Sequence, residues 1–494
     1  MSATGIPDTS PVFDVEAVNA KRNRQLYAAR KKIFPKRVKG EFRTLKWWVM
    51  IITLGIYYIT PWIRWDRGPF APDQAVLVDL ANRRFYFFFI EIWPHEFFYV
   101  AGLLIMAGLG LFLITSVIGR AWCGYTCPQT VWVDLFLKVE RWIEGDRNAR
   151  MKLDTAPLSW DKARKRLAKH SLWLVIAVAT GGAWVFYFAD APTLAQQLIT
   201  FDAPVVAYST IAILTFTTYV FGGHMREQVC TYMCPWPRIQ SAMVDENTLT
   251  VTYQDWRGEP RGRHTKREDA DTLGDCIDCN ACVAVCPMGI DIRDGVQLEC
   301  ITCSLCIDAC NGVMDKVGKP RGLISYATLN DLEANRRGEA RKTTWRSLVR
   351  PRTVVYFLLW GSIGVAMLYG LATREHIGVN VLQDRNPVYV QLSDGAVRNG
   401  YRLKLINKVL EPRLFTVTLD GLPGAALTTP ASQEPVQTLQ FQVAPDQVRE
   451  IKLFVRADPT GLSERRTQFR FLVTDETDQA QAEYTARFEA PVRP

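Results

Sequence analysis

Cysteine is missing from both ends of this chain: all twelve lie between Cys123 and Cys310, in four closely spaced groups with none left over. That pattern excludes a secreted disulfide scaffold, whose pairs are spread through a small chain with little core. Histidine is scarce, with five in 494 residues, at positions 95, 170, 224, 264 and 376. None falls in the middle of an apolar segment, where a bis-histidine haem would need facing imidazoles. Nucleotide-binding Gly-rich fingerprints and flavin motifs are also lacking. Apolar residues are not lacking: they make up 48% of the chain, including 15 Trp and 24 Phe, too many for a disordered protein. The net charge of +9 crowds beside long apolar segments, so it points to membrane orientation and not to nucleic acid.

A bilayer core of about 30 Å takes roughly 20 apolar residues per helix. Five segments qualify, at about 45–63, 97–118, 171–189, 203–222 and 353–371. A sixth, Phe85 to Trp93, is too short to span and carries Glu91, so it reads as an interfacial or re-entrant piece in an aromatic belt; Asp190 is likewise read as interfacial. Residues 21–46 hold eleven Lys or Arg against Glu41, with no apolar leader core ahead of them, which sets the N-terminus inside. Loops 64–96 and 190–202 are poor in positive charge and fall outside. Loop 119–170, with eleven Lys or Arg, and 335–352, with seven, fall inside. An odd number of spans then exports the tail.

That tail alternates apolar and polar residues in short runs, Tyr401 to Leu405, Leu439 to Val443, Ile451 to Leu453 and Phe469 to Val473. Turn residues at Asp394-Gly395, Asp420-Gly421 and Pro459-Thr-Gly461 separate them, so about seven strands of an immunoglobulin-like sandwich are expected. The fold class is therefore a multi-domain membrane protein. Its parts are a basic segment (1–44), helices one to four (45–245), a cytoplasmic ferredoxin-like insert (246–352), helix five (353–371) and an outer β-sandwich (372–494). Helices one plus two and three plus four each end in a Cys-x3-Cys-Pro motif, at Cys123/Cys127-Pro128 and Cys230/Cys234-Pro235, an internal repeat with pseudo-twofold character.

Cys276, Cys279, Cys282 and Cys286-Pro287 reproduce the bacterial ferredoxin spacing, and Cys300, Cys303, Cys306 and Cys310 repeat it with Asn311 in place of the proline. Three cysteines on a tight loop offer thiolates to three corners of a cubane, and the fourth, starting a helix, reaches the other cluster. By that rule Cys276, Cys279, Cys282 and Cys310 hold one [4Fe–4S] cluster, and Cys300, Cys303, Cys306 and Cys286 the second. Thiolate tetrads also suit zinc, but two complete runs in this register favour iron and sulfide. In the Cys-x3-Cys-Pro motifs a separation of four places both sulfurs on one helical face, while the prolines favour a break there. Cys123, Cys127, Cys230 and Cys234 read either as a soft-metal or redox thiol site, for Cu(I), zinc or iron–sulfur, or as buried structural cysteines. His224, six residues before Cys230, is an auxiliary ligand or an interfacial hydrogen-bonding group.

On these motifs the chain resembles the cytochrome c oxidase accessory proteins of bacterial inner membranes, the FixG/RdxA/CcoG type. The resemblance covers the basic N-terminus, five spans, both Cys-x3-Cys-Pro motifs, the ferredoxin insert and the immunoglobulin-like tail. It implies assembly of cbb3-type oxidase and cupric reductase activity, with copper as substrate and Cys123, Cys127, Cys230 and Cys234 as the residues that meet it. The implied partners are the bilayer and copper chaperones or oxidase subunits; the sequence does not name the electron donor, and the lack of nucleotide and flavin motifs leaves a partner protein or quinol; no nucleic acid is expected and homodimerisation is open. Membrane electron-transfer subunits of nitrate and nitrous oxide systems share both motif types, which makes a plain electron conduit the alternative. A non-catalytic assembly scaffold is the third reading.

Overall fold

The computed structural model describes residues 13–19, 31–69, 71–262, 273–339, 349–374, 376–409, 411–432, 434–458 and 465–491. His264, the Pro459-Thr-Gly461 turn, and parts of the basic segment and of the 335–352 charge run lie outside the described residues. The chain divides into two units, Met1–Ile63 with Gln74–Met367, and Arg64–Asp73 with Leu368–Pro494.

In the first unit α1 (Glu41–Ile59) leads to a three-stranded antiparallel sheet, β1 (Val76–Asp79), β2 (Arg84–Phe87) and β3 (Ile90–Ile92). This corrects the re-entrant reading of Phe85 to Trp93. Phe85, Phe87, Ile90 and Ile92 alternate with Tyr86 and Glu91, Phe88 turns the chain with a φ of 51°, and Phe85 pairs with Ile92. Glu91 is neutralised by Arg84 at 3.0 Å. The helices α2 (Phe98–Ile118), α3 (Ala121–Tyr125), α4 (Pro128–Ile143), α5 (Arg147–Thr155), α6 (Trp160–Val185), α7 (Ala191–Thr200) and α8 (Val205–Thr218) follow. Beyond α8 the backbone winds into two π-helical segments, Tyr219–Met225 and Val229–Met233, separated by Arg226 at a φ of 45°.

By length and composition, Phe98–Ile118, Val205–Met225 and the later α14 (Pro351–Ala372) are each sufficient to cross a membrane. Large apolar side chains such as Ile52, Leu104, Phe216 and Leu358 face outward from α1, α2, α8 and α14, as lipid contact requires. Where helices touch, small residues let backbones approach. A Cβ on Gly181 of α6 would stand 2.8 Å from the Ile211 carbonyl of α8. At the charged end of the bundle, buried carboxylates gather the cations: Asp134 meets Arg43 at 2.9 Å and Lys46 at 3.8 Å, and Glu140 meets Arg150 at 2.6 Å.

After α9 (Trp236–Met243) the ferredoxin insert comprises β4 (Thr250–Tyr253), α10 (Asp255–Gly258), α11 (Ala281–Val285), α12 (Leu305–Val317), β5 (Ile324–Ala327) and α13 (Leu329–Arg336), with β4 and β5 antiparallel. In the second unit nine strands are described, β6 (Ile377–Gln383), β7 (Val390–Gln391), β8 (Val397–Asn407), β9 (Arg413–Asp420), β10 (Ala426–Thr428), β11 (Leu439–Val443), β12 (Gln447–Ala457), β13 (Arg466–Asp475) and β14 (Gln481–Glu489). One sheet runs β10-β12-β8-β6, with β7 also on β8, and the other runs β11-β9-β13-β14. The period-two runs supply the filling between them: Tyr401, Leu403, Leu453, Phe469 and Phe471 are fully buried.

Candidate redox site

The two ferredoxin loops take the same backbone path. Asp278 and Asn280 in the first, and Thr302 and Ser304 in the second, all have positive φ, between 53° and 62°. These left-handed residues curl each loop so that three thiols and several N–H groups face inward. They are held by side chains that spacing does not reveal. Arg293 donates to Asp278 at 2.6 Å and to Asn280 at 2.7 Å, and Tyr326 accepts from Ser304 at 2.7 Å and donates to the Thr302 carbonyl at 3.3 Å. The helices start earlier than expected, at Ala281 and Leu305, so Cys282 and Cys306 lie in a first turn, Cys286 follows α11, and Cys310 sits inside α12.

Burial, then the neighbouring Cys279 and Cys276, pushes the Cys310 thiol up to about 12. Burial, with Cys303 and Cys300 close by, does the same to Cys286. Cys310 is thus placed beside the first loop and Cys286 beside the second. Burial also raises Cys282 and Cys306 well above the ordinary thiol value and Cys300 to about 11. Cys282, Cys286, Cys300, Cys303 and Cys306 line one apolar cavity. Thiols shut away from water and met by backbone N–H groups, as Cys286, Cys300 and Cys310 are, suit a group that replaces their protons with metal. Among the described residues no three Cys, His, Asp or Glu stand close enough to share a single ion, whereas a cubane spreads its four sulfurs around its own volume. The donor set therefore fits iron–sulfur cubanes better than mononuclear zinc.

The Cys-x3-Cys-Pro motifs also share a conformation, though not the continuous helix their spacing allows. Cys123 lies in α3 and Cys230 in the second π segment, while Cys127 and Cys234 are extended, at ψ 128° and 123°. Proline disfavours helix at the residue before it and opens the next one, so each motif breaks between its cysteines. The break brings the four thiols into one neighbourhood, although no three of them stand close enough to share a single ion, so a soft ion there would be held by a pair. Burial and then the neighbouring Cys127 and Cys123 push Cys230 up to about 12, and burial raises Cys123, with Cys127 and Cys234 adding to the shift and Arg120 opposing it. The Cys123 thiol donates to Gln240 at 3.1 Å, and Gln240 in turn donates to Thr115 at 3.1 Å.

This thiol quartet rests on the second ferredoxin loop. Cys123 and Cys230 belong to the same apolar cluster as Cys286, Cys300 and Cys303. The contact is made by Gly124, where a Cβ would stand 2.5 Å from the Ile301 carbonyl oxygen and 3.0 Å from the backbone nitrogen of Cys303. Arg120 adds a hydrogen bond to the Leu298 carbonyl. The N-terminal segment also binds the insert: Phe13 N–H donates to the Cys279 carbonyl at 3.0 Å, Asn19 N–H to that of Gly289 at 3.0 Å and Lys36 N–H to that of Ala284 at 2.8 Å. Asp308 of α12 accepts the N–H of Arg43 at 2.7 Å and caps α1. His170 and His224 do not join the thiols. Their rings lie parallel, 5.7 Å apart, against Trp173.

Three family models match parts of the chain. A 4Fe-4S dicluster domain matches residues 225–329, a 4Fe-4S binding domain matches 100–148, and the IG-like fold at the C-terminus of FixG matches 367–491. Ferredoxin loops docked on apolar helices thus define an iron–sulfur redox protein of the membrane. Over 506 positions the chain is 59% identical to nitrogen fixation protein FixG of Rhizobium meliloti, covering 97% of each. It is 60% identical to protein RdxB of Cereibacter sphaeroides over 83% of this chain and 89% of that one. Protein RdxA of the same organism is 56% identical over 88% of this chain and 91% of its own length. The chain belongs to the FixG/RdxA family. A crystal structure of a FixG-related protein from Vibrio parahaemolyticus aligns with 24% of this chain and 99% of its own at 26% identity, with a TM-score of 0.21.

Proposed function

We propose that this protein is a membrane metalloreductase that converts Cu(II) to Cu(I) for the copper centre of a cbb3-type oxidase. The supporting observation is the seat of Gly124 on the Ile301–Cys303 backbone, which sets the four membrane thiols against one ferredoxin loop. In this reading Cys276, Cys279, Cys282 and Cys310 hold one [4Fe–4S] cluster, and Cys300, Cys303, Cys306 and Cys286 the other. When bound, the clusters supply one-electron storage and transfer. Cys123, Cys127, Cys230 and Cys234 supply soft sulfur, which binds Cu(I) more strongly than Cu(II) and so favours the one-electron reduction of bound copper. Because burial holds Cys123 and Cys230 as neutral thiols, metal binding displaces protons, and affinity rises with pH. Cu(I) then passes to a chaperone or an oxidase subunit. Copper-dependent reoxidation of the dithionite-reduced protein tests the reading; clusters that stay reduced in the presence of Cu(II) would overturn it.

A second reading is favoured by one comparison. The 4Fe-4S binding domain matched at 100–148 contains Cys123 and Cys127 but none of the ferredoxin cysteines. If the membrane quartet held a third cubane, the chain would be a plain conduit to a partner redox enzyme. Iron analysis of anaerobically purified protein separates the two: about eight iron and eight sulfide per chain are expected, and about twelve of each would favour the conduit.

The architecture proposed with this function has five spans, α1, α2, α6, α8 and α14, related in part by an internal repeat, with the ferredoxin insert cytoplasmic and the sandwich periplasmic. Charge asymmetry supports it, since basic residues flank the inner ends. Alkaline phosphatase fused after Pro494 is expected to be active, and an inactive, stable fusion would remove the odd span count.

A further inference from the structure

A cavity of about 370 Å³ lies between the charged ends of α4, α5, α6 and the first π segment. Its lining includes His170, Trp173, His224, Arg226 and Glu140. We propose that it takes the headgroup of a membrane quinol, which supplies the electrons for the function inferred above and so rests on that reading.

Four observations lead there. The volume falls in the range of small-molecule sites. Its aromatic wall is ordered: Trp173 stacks on Phe136 at 5.3 Å, and His170 and His224 both meet Trp173 edge-on. Second, the Tyr219 hydroxyl is 2.9 Å from His170 Nδ1. With Nδ1 engaged, His170 offers Nε2 to a ligand. When Nδ1–H donates to Tyr219, Nε2 accepts a quinol O–H; when the Tyr219 hydroxyl donates, Nε2–H faces a quinone carbonyl. One pair therefore serves both ligand forms.

Third, four of the five cations lining the cavity are already paired with carboxylates, and the fifth, Lys162, donates to the backbone carbonyls of Asp154 and Ala156. Lys169 is 3.0 Å from Glu144, Arg166 is 2.7 Å from Asp154, Lys32 is 2.9 Å from Asp154, and Arg226 is 2.5 Å from Glu140. An anionic headgroup would have to break such pairs, whereas a neutral quinol ring leaves them intact. Fourth, Trp142, Leu158, Trp160 and Leu167 alternate along the chain with lining residues and are 71% to 87% exposed. Apolar side chains so placed belong at a bilayer surface, where an isoprenoid tail would lie.

Two elements of the cavity wall adjoin the Cys-x3-Cys-Pro motifs in sequence. Arg226 lies four residues before Cys230, at the left-handed break between the two π segments, and Glu140 stands on α4, the helix that Cys127-Pro128 opens. π-helical backbone, rare elsewhere and frequent at functional sites, forms both the cavity wall and the Cys230 segment. On oxidation the quinol gives up two protons and two electrons and becomes quinone. The protons would leave through His170 to water, and the two electrons would go one each to the two one-electron acceptors that the ferredoxin cysteines would hold.

The test is photolabelling of the full-length protein in lipid nanodiscs with an azido-ubiquinone. Label is expected within residues 160–173 and 219–226, and excess decylubiquinone is expected to suppress it. Tyr219→Phe and His170→Gln are each expected to weaken quinone competition about tenfold with iron content unchanged. Label confined to other peptides, unchanged competition in both variants, or displacement by phosphatidylglycerol in place of quinone would overturn the proposal. Dithionite-fed copper reduction by the unsubstituted protein reports on the metalloreductase reading alone, so the two fail separately.

Discussion

Replacing Cys230 and Cys234 together by serine is expected to slow copper-dependent reoxidation by about two orders of magnitude or more while the ferredoxin iron remains in place. Serine nearly matches cysteine in size, but its oxygen is a poor ligand for soft Cu(I). The substitution therefore removes binding without opening a large cavity. Cys230 is half-buried and does not belong to either ferredoxin loop, so the clusters should still be reduced by dithionite. A purely structural role gives another pattern, loss of protein and iron together. Full iron content with undiminished copper reduction would take these motifs out of the catalytic path.

Gly124→Val is expected to cost about 1–3 kcal/mol or more and to uncouple the thiols from the ferredoxin insert. The new side chain would meet the Ile301 carbonyl oxygen and the Cys303 backbone, which cannot swing aside as a flexible side chain could. Relief requires moving the loop that carries Cys303. Electron arrival at copper should then fall more steeply than copper binding. Gly312→Ala is the matched control, because a Cβ there meets nothing within 4 Å on a helix in the same insert. It is expected to be neutral or to stabilise by roughly 0.5–1 kcal/mol. Equal effects of the two substitutions on copper reduction would sink the docking argument.

Much of this protein was legible in one dimension because the constraints are local. Three cysteines of each ferredoxin-type run share one loop, so the two runs between Cys276 and Cys310 stand out by spacing. Strands β8, β11, β12 and β13 follow from period-two alternation, since one face must be buried. Apolar helices such as Phe98–Ile118 and Pro351–Ala372 follow from length and hydropathy, because lipid contact demands both. Misreadings arose where a short run fits two structures: Phe85 to Trp93 has the composition of an aromatic belt and the alternation of the hairpin it forms. In the Cys-x3-Cys-Pro motifs, helical spacing and the proline break competed, and the break won.

What the amino-acid order determines alone is the inventory: eight ferredoxin cysteines, four membrane cysteines, the apolar segments and the alternating tail. Tertiary structure alone decides which of these meet. No spacing says that Cys123 finds Gln240, that Gly124 seats on Cys303, or that Phe13 binds the backbone of Cys279. The separations run from 117 residues upward. Contacts of that reach depend on how helices pack and loops close, and no periodicity in the sequence encodes them.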